Sequence, residues 1–240
     1  GGIFFMSSIK HKKAVADIPA TTSIYAPLGS RVSFSLPDGT HGMLNSGSHL
    51  SYSLPFSNSR KIRLEGEAWF EVKHDAENPF EINAGTSKVK VLGTSFNLSA
   101  YPAENYIEVV LEEGKVEFTE DSTIVSMKPS ERLVFRDGKI TKDITDPEKF
   151  NSWKDGKLIF REDPMAEVAR RIERWYNVKV KLADSELEKY SFRGTFEDDK
   201  LEDVMMMLAM TSPISYKITP GRILPDGTHE KAEVTIWMKK

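Results

Sequence analysis

The sequence predicts a mainly β protein: an N-terminal antiparallel β sandwich or jelly-roll-like double sheet, then a C-terminal α+β module. Three observations carry this. Short apolar/polar alternations of period two follow one another from about residue 24 to about 142. Turn residues punctuate them roughly every 8–12 positions, the rhythm of sandwiches and double sheets. After about 142 the apolar period changes, and strands begin to alternate with helical stripes. The chain therefore divides into a leader over 1–23, an all-β domain over 24–142, a linker with a short helical turn over 143–157, and a βαβ-βαβ-β module over 158–240.

The leader lacks periodicity. Ile3-Phe4-Phe5-Met6 precede Lys10, His11, Lys12 and Lys13, the reverse order of a secretory signal peptide. The apolar run is also far shorter than the roughly 20 residues of a membrane span. It fits either a flexible leader or the tail end of a membrane helix. The first good strand is Val32, Phe34 and Leu36, alternating with polar neighbours. Pro37-Asp38-Gly39 is a turn: Pro presets φ, Asp caps, and Gly takes positive φ. Asn45-Ser46-Gly47-Ser48 turns again, and Leu50, Tyr52 and Leu54 share a face.

The stretch from Arg60 to Tyr101 organises the domain. Ile62, Leu64, Gly66, Ala68, Phe70 and Val72 point one way; Arg63, Glu65, Glu67, Trp69 and Glu71 point the other. Gly66 replaces a core side chain in mid-strand, so a bulge or a close backbone approach is expected there. Parity flips between Val89/Val91 and Phe96/Leu98, and Gly93 is the candidate for the extra residue of a bulge. Further strands carry Ile107–Leu111, Val116–Phe118 and Val125–Met127, and Arg136-Asp137-Gly138-Lys139 marks a hairpin.

These residues also carry a resemblance. Leu36-Pro37-Asp38-Gly39-Thr40, Leu44-Asn45-Ser46-Gly47-Ser48, the run from Leu64 to Val72, Pro79-Phe80, and the run from Val91 to Asn97 resemble, in order, motifs of the FecR family. The match spans about Ala26 to about Arg136, with Trp69 where the family usually has Tyr. The resemblance implies the periplasmic sensor portion of an anti-sigma factor anchored in the inner membrane. The implied partner is the signalling domain of a TonB-dependent outer-membrane receptor. An extracytoplasmic-function sigma factor would be held through a cytoplasmic segment absent from this chain. The implied role is regulatory, with no catalysis and no cofactor.

Asp146-Pro147 starts the linker's helical turn, which carries Phe150 and Trp153. Leu158–Phe160 is a strand, and Asp163-Pro164 is expected to cap a helix with the stripe Met165, Val168, Ala169, Ile172, Trp175 and Tyr176. Arg170, Arg171 and Arg174 face away from that stripe, as a solvated face or a partner contact. The order repeats with Phe192–Phe196, a helix over Leu201–Ala209, and strands at Ile214–Ile218 and Val234–Met238. This module resembles the secretin/TonB short N-terminal fold, two helices between two small sheets. Met206, Met207 and Met210 are expected to join Met205 in the core. Strand 233–238, last in the chain, is the candidate edge for a partner, with Thr235 and Trp237 outward. Alternatively Trp237 packs near Trp153. Leu-Pro-Asp-Gly-Thr-His occurs twice, at 36–41 and 224–229, which signals shared turn chemistry rather than duplication.

Chemistry is sparse. Net charge is −3 over 240 residues, so nothing demands nucleic acid. Cysteine is absent, which excludes disulfides and thiolate metal sites. Glu65 and Glu67 lie about 7 Å apart on one strand face, within glycosidase range, yet a solvated strand face explains them better. His11, His41, His49, His74 and His229 show no ligand spacing. Gly-x-Ser-x-Gly is missing. Asp38, Gly39, Gly66, Gly93 and Trp153 are structural candidates. The rival function is a carbohydrate-binding jelly roll, supported by Trp69 on an outer strand face.

Overall fold

A computed structural model of the chain describes residues 20–56 and 59–239. Most of the expected leader, and the lysines on which its interpretation rests, lie outside those residues. Its end does not: Thr21–Tyr25 forms strand β1, paired with β4 (His49–Ser53). The structured domain thus begins earlier than the alternation suggested. Only Ile24 of this short strand packs against the core, so its pattern is faint.

Two sheets form the β domain, and both are built on β5 (Lys61–Glu71). Residues 61–65 pair with β4 on one side and, in parallel, with β6 (Phe80–Ala84) on the other. Sheet A continues through β7 (Ser87–Val91) and β10 (Val116–Glu120) to β11 (Thr123–Met127). Residues 66–71 of the same strand pair with β3 (His41–Leu44) and β8 (Ser95–Ala100). Sheet B runs from β2 (Val32–Ser35) through β3, β5, β8, β9 (Tyr106–Glu113) and β12 (Glu131–Arg136) to β13 (Lys139–Ile144).

Gly66 is where β5 passes from one sheet to the other. Its φ is +112°, and a Cβ there would lie 2.4 Å from Ser48 Oγ. The strand can turn only because no side chain is present. Gly93 works differently from expectation. It is not among the glycines of positive φ, and the parity flip is the crossing from β7 in sheet A to β8 in sheet B. Close approach explains the glycine: its Cβ would meet His74 Nδ1 at 2.6 Å. The register shift lies further on, where Ser95 faces Glu113 and Phe96 faces Leu111. Phe70 stacks on Phe96 at 5.3 Å and meets Phe34 edge-on at 5.6 Å in the core between the sheets.

The linker holds a short helix α1 (Glu148–Asn151), whose Glu148 N–H donates to Asp146 Oδ1, and a 3-10 turn, Ser152–Asp155. Gly156 ends it at φ +80°. The C-terminal region follows as β14 (Lys157–Pro164), α2 (Met165–Tyr176), β15 (Lys179–Leu182), β16 (Ser191–Glu197), α3 (Leu201–Thr211), β17 (Ile214–Thr219), β18 (Arg222–Ile223), β19 (His229–Glu230) and β20 (Glu233–Met238). β14 pairs with β16, and β15-β20-β17 make a three-stranded sheet. These elements enclose a second apolar cluster around Phe160, Ile172, Phe192, Met205 and Ile236.

Three expectations fail here. β20 is the centre of its sheet, flanked by β15 in parallel and β17 antiparallel, so strand 233–238 offers no free edge. The chain's last strand inserts between two earlier ones, which order in sequence cannot reveal. Met206 and Met210 are exposed, because among the described residues no second sheet covers that side of α3, while Met207 packs half-buried against the core as expected. Asp163 does not cap α2: Pro164 occupies the cap position, while Asp163 accepts from the Arg161 N–H and pairs with Lys149 at 2.6 Å.

The two Leu-Pro-Asp-Gly-Thr turns fold alike. Gly39 and Gly227 have φ of +88° and +82°, and the Thr40 and Thr228 N–H groups donate to Asp38 and Asp226. Asp38 has a further partner, Arg60, whose Nε donates to it at 2.8 Å.

Candidate functional site

The alternation of β5 leaves Glu67 and Trp69 on the outer face of sheet B. Register sets Glu67 beside Ser99, Ser99 beside Glu108, and Trp69 beside Asn97. That face is polar, as expected, but it is not solvated. The linker and α2 lie on it, and Glu67 and Asn97 are buried.

Helix α2 is thereby used on both sides. Val168, Ala169 and Ile172 are buried, Val168 and Ile172 in the second core. The opposite face carries Arg170 and Arg174 onto the β domain and Arg171 onto β14 and the linker, which corrects their expected solvated position. Arg174 reaches furthest. Its guanidinium donates to Glu67 Oε2 at 3.1 Å and to Glu104 Oε1, and it lies 3.9 Å over the Tyr101 ring. Burial works against this charge, but Tyr101, Glu67 and Glu104 outweigh it and hold the guanidinium pKa above its ordinary value. Glu67 in turn accepts from Asn45 Nδ2 at 2.8 Å and Asn97 Nδ2 at 2.9 Å. A buried carboxylate with three donors is tolerable where an unpaired one would not be.

Arg171 donates to the Ile159 carbonyl at 2.6 Å and to the Lys149 carbonyl, tying α2 to β14 and the linker. Burial pushes its pKa down, against the pull of Asp163 and Glu167. Arg170 pairs with Glu167 and approaches the Tyr106 ring at 5.4 Å. Burial and the carboxylates of Glu167, Glu104 and Glu108 push the Tyr106 phenol up. Burial raises Glu108 too, opposed by its bond from Arg132 Nε at 2.7 Å.

The linker is wedged between the two regions. Trp153 is buried, and its Nε1–H donates to Asn97 Oδ1 at 3.0 Å. Asn151 Nδ2 donates to Glu112, and Arg31, stacked 4.0 Å from Trp175, donates to the Trp153 carbonyl. Towards β14 the linker offers Asp146 and Glu148 to Arg161, and Lys149 to Asp163. A cavity of about 390 Å³ remains along this seam, lined among others by Ser99, Glu108, Arg132, Lys149, Arg170 and Trp175.

Of the residues singled out from the sequence, the structure brings Arg170, Arg171, Arg174 and Trp153 together at the seam. Thr235 and Trp237 lie elsewhere, half-buried in the middle of the three-stranded sheet. Asp38 and Gly39 make their turn, while Gly66 and Gly93 sit at the sheet crossings. Trp69 is half-covered: its Nε1–H donates to Glu112, and Lys154 Nζ lies 4.9 Å from its ring. Glu65 pairs with Arg63 at the surface, well apart in environment from buried Glu67. Sequence reasoning missed Glu67, Asn97, Tyr101 and Glu104 as partners. The available signal was the match of an arginine-rich helix face to an acidic strand face. Among the described residues no acidic, histidine or cysteine group could hold a metal ion.

Two comparisons bear on this architecture. The family model described as "FecR protein" matches residues 22–117, and that described as "FecR, C-terminal" matches residues 157–224. Among solved structures, two crystal structures of candidate anti-sigma factors from Parabacteroides distasonis ATCC 8503 are similar. One, at 1.65 Å resolution, has TM-score 0.79 and 28% identity over 91% of this chain and 100% of that one. The other, at 2.50 Å, has TM-score 0.78 and 28% identity, covering 92% and 100%. No curated protein matches. The class is thus a β double sheet with a small α+β region seated on its outer face, as in those structures. The chain belongs to the FecR family, and carries both the FecR region and the FecR C-terminal region.

Proposed function

We propose that this chain is the periplasmic, signal-receiving part of a membrane-anchored anti-sigma factor. Its role is to relay the state of a TonB-dependent outer-membrane transporter to an extracytoplasmic-function sigma factor. The supporting observation is the presence of both FecR regions in one chain, in the arrangement of the two candidate anti-sigma structures. The role is regulatory, and no residue is assigned to catalysis. No helix of the described residues is long and apolar enough to cross a membrane.

The two regions are proposed to be separate domains, divided across the linker, with receptor docking on the C-terminal one. Because β20 is central, strand addition would use the free edges of β15 or β17 instead. On β15 the Val180 N–H is already taken by Glu173 Oε1, which leaves β17 the more open. Trp237, one strand in from either edge, is half-exposed beside Ser215 of β17 and remains the proposed aromatic anchor, with Thr235 on the same strand face. Pull-down of the receptor signalling domain encoded beside this protein tests the reading. Trp237→Ala, with circular dichroism as the folding control, tests the anchor. Capture of the signalling domain supports relay. Binding on a glycan array with no capture would favour a carbohydrate module.

A further inference from the structure

We infer that the seam is a breakable lock: the C-terminal region is held on sheet B by the Glu67–Arg174–Glu104 cluster and can be released from it as a body. The inference concerns this chain's own coupling and does not rest on the identity of any receptor.

The character of the seam carries it. Interfaces between domains move by default unless they are large and hydrophobic. This one is charged. Arg174 meets two carboxylates and a tyrosine face, and Lys149 meets Asp163. Charged groups regain hydration when separated, whereas apolar groups do not, so an ionic seam can part without exposing a core. The packing is also incomplete, with a cavity of about 390 Å³ along the contact. Buried Ser99 Oγ and the Arg170 Nε atom find no partner among the described residues. Each region meanwhile keeps its own apolar cluster, and neither cluster draws residues from the other region.

Arg174 is the keystone because it alone joins three β-domain groups from two places, β5 and the segment between β8 and β9. Glu104 is the more expendable end: it is reached by Arg174 from a turn outside the strands, and its Oε2 has no partner among the described residues. A partner that binds either α2 or the 101–105 turn better in the released arrangement would shift the balance.

The chain has no cysteine, so two labels can be placed without background. Ile124→Cys on β11 and Met210→Cys on α3 are exposed positions in the two regions. Spin labels on this pair report the distance between them by pulsed dipolar spectroscopy. The native background should give one narrow distance with a small longer component. Arg174→Gln and, separately, Glu104→Gln should each raise the longer component about tenfold or more, the scale of losing one charged hydrogen bond. Circular dichroism should stay native in the Glu104 variant. An unchanged narrow distance in both variants would overturn the lock. So would unfolding of Arg174→Gln together with an unchanged distance in Glu104→Gln, which would make the cluster a folding contact.

Discussion

Helices α2 and α3 occupy equivalent places in the C-terminal region, yet their outward faces have opposite fates. α2 presents arginines outward and has Arg174 buried against sheet B, with Arg171 buried on β14 and the linker. α3 presents Met206 and Met210 outward, and they stay in solvent. Residue type alone predicts the reverse. The difference teaches that an amphipathic stripe identifies the face that meets a helix's own core, and says nothing of what covers the other. For α2 the cover is sheet B, whose acidic outer face matches the arginines. For α3 there is none among the described residues. Long cationic side chains suit such a seam because their stems pack while their heads find carboxylates.

The sharpest break of this comparison is Arg174→Ala. It removes the one cation paired with buried Glu67 and uncovers Tyr101. Loss of one partner from a buried pair costs on the order of 3–5 kcal/mol. Arg193, whose pair with Glu162 is exposed, is the control, and its alanine variant should lose about 0–1 kcal/mol. Urea unfolding of both variants measures the gap. Equal midpoints would mean that α2's outer face is no more invested than any surface.

Much of the fold was legible because strands advertise themselves by period two and helices by their stripe. The β5 alternation, the two helical stripes and the turns at Asp38 and Asp226 all appear where the pattern put them. Partnership between elements was not legible. Nothing in Val234, Ile236 and Met238 reveals that β20 slots between β15 and β17, and Gly93 carried no mark to tell a sheet crossing from a bulge. The seam was half legible: its cations and acids are evident, but their meeting depends on the linker's path, set by buried Trp153.

The two identical turns extend the same lesson on a smaller scale. Local chemistry is shared, but Asp38 also holds Arg60, a nearly buried cation that donates in addition to the Asn78 and Lys73 carbonyls. Asp38→Ala leaves that cation without its carboxylate and should cost about 2–3 kcal/mol. Asp226→Ala removes a bond to Thr228 at an exposed tip, and its melting temperature should stay at the native value. If both variants melted alike, the turn itself and not the Arg60 contact would be what Asp38 supports.

Acid should loosen the join between the linker and β14. The bond from Arg161 holds the Asp146 carboxyl below its ordinary 3.8, assisted by the Glu148 N–H. A depressed carboxylate contributes stability above the unfolded value of 3.8, and that contribution is lost as pH falls through the lower folded pKa. Protection from amide exchange, taken relative to the intrinsic rate at each pH, should therefore fall first around α1 and β14 as pH drops below 3.8. The same profile in Arg161→Gln and in the native chain would show that the pair does not tie the linker.

The smallest expected effect is at α3's bare face. Met210 is 77% exposed and Met206 is 48% exposed, so little apolar surface leaves water at either position on folding. Substitutions at such sites usually lie within about 0.5 kcal/mol of neutral. Glutamine keeps the length and helix preference of methionine without its apolar character. Met210→Gln should therefore leave the urea midpoint within error and improve solubility by removing an exposed apolar side chain. Met205→Gln in the same helix is the counterpart, since Met205 is fully buried and an amide there would lose its hydration. A loss at Met210 comparable to that at Met205 would mean that α3's outer face is covered after all, and the contrast with α2 would disappear.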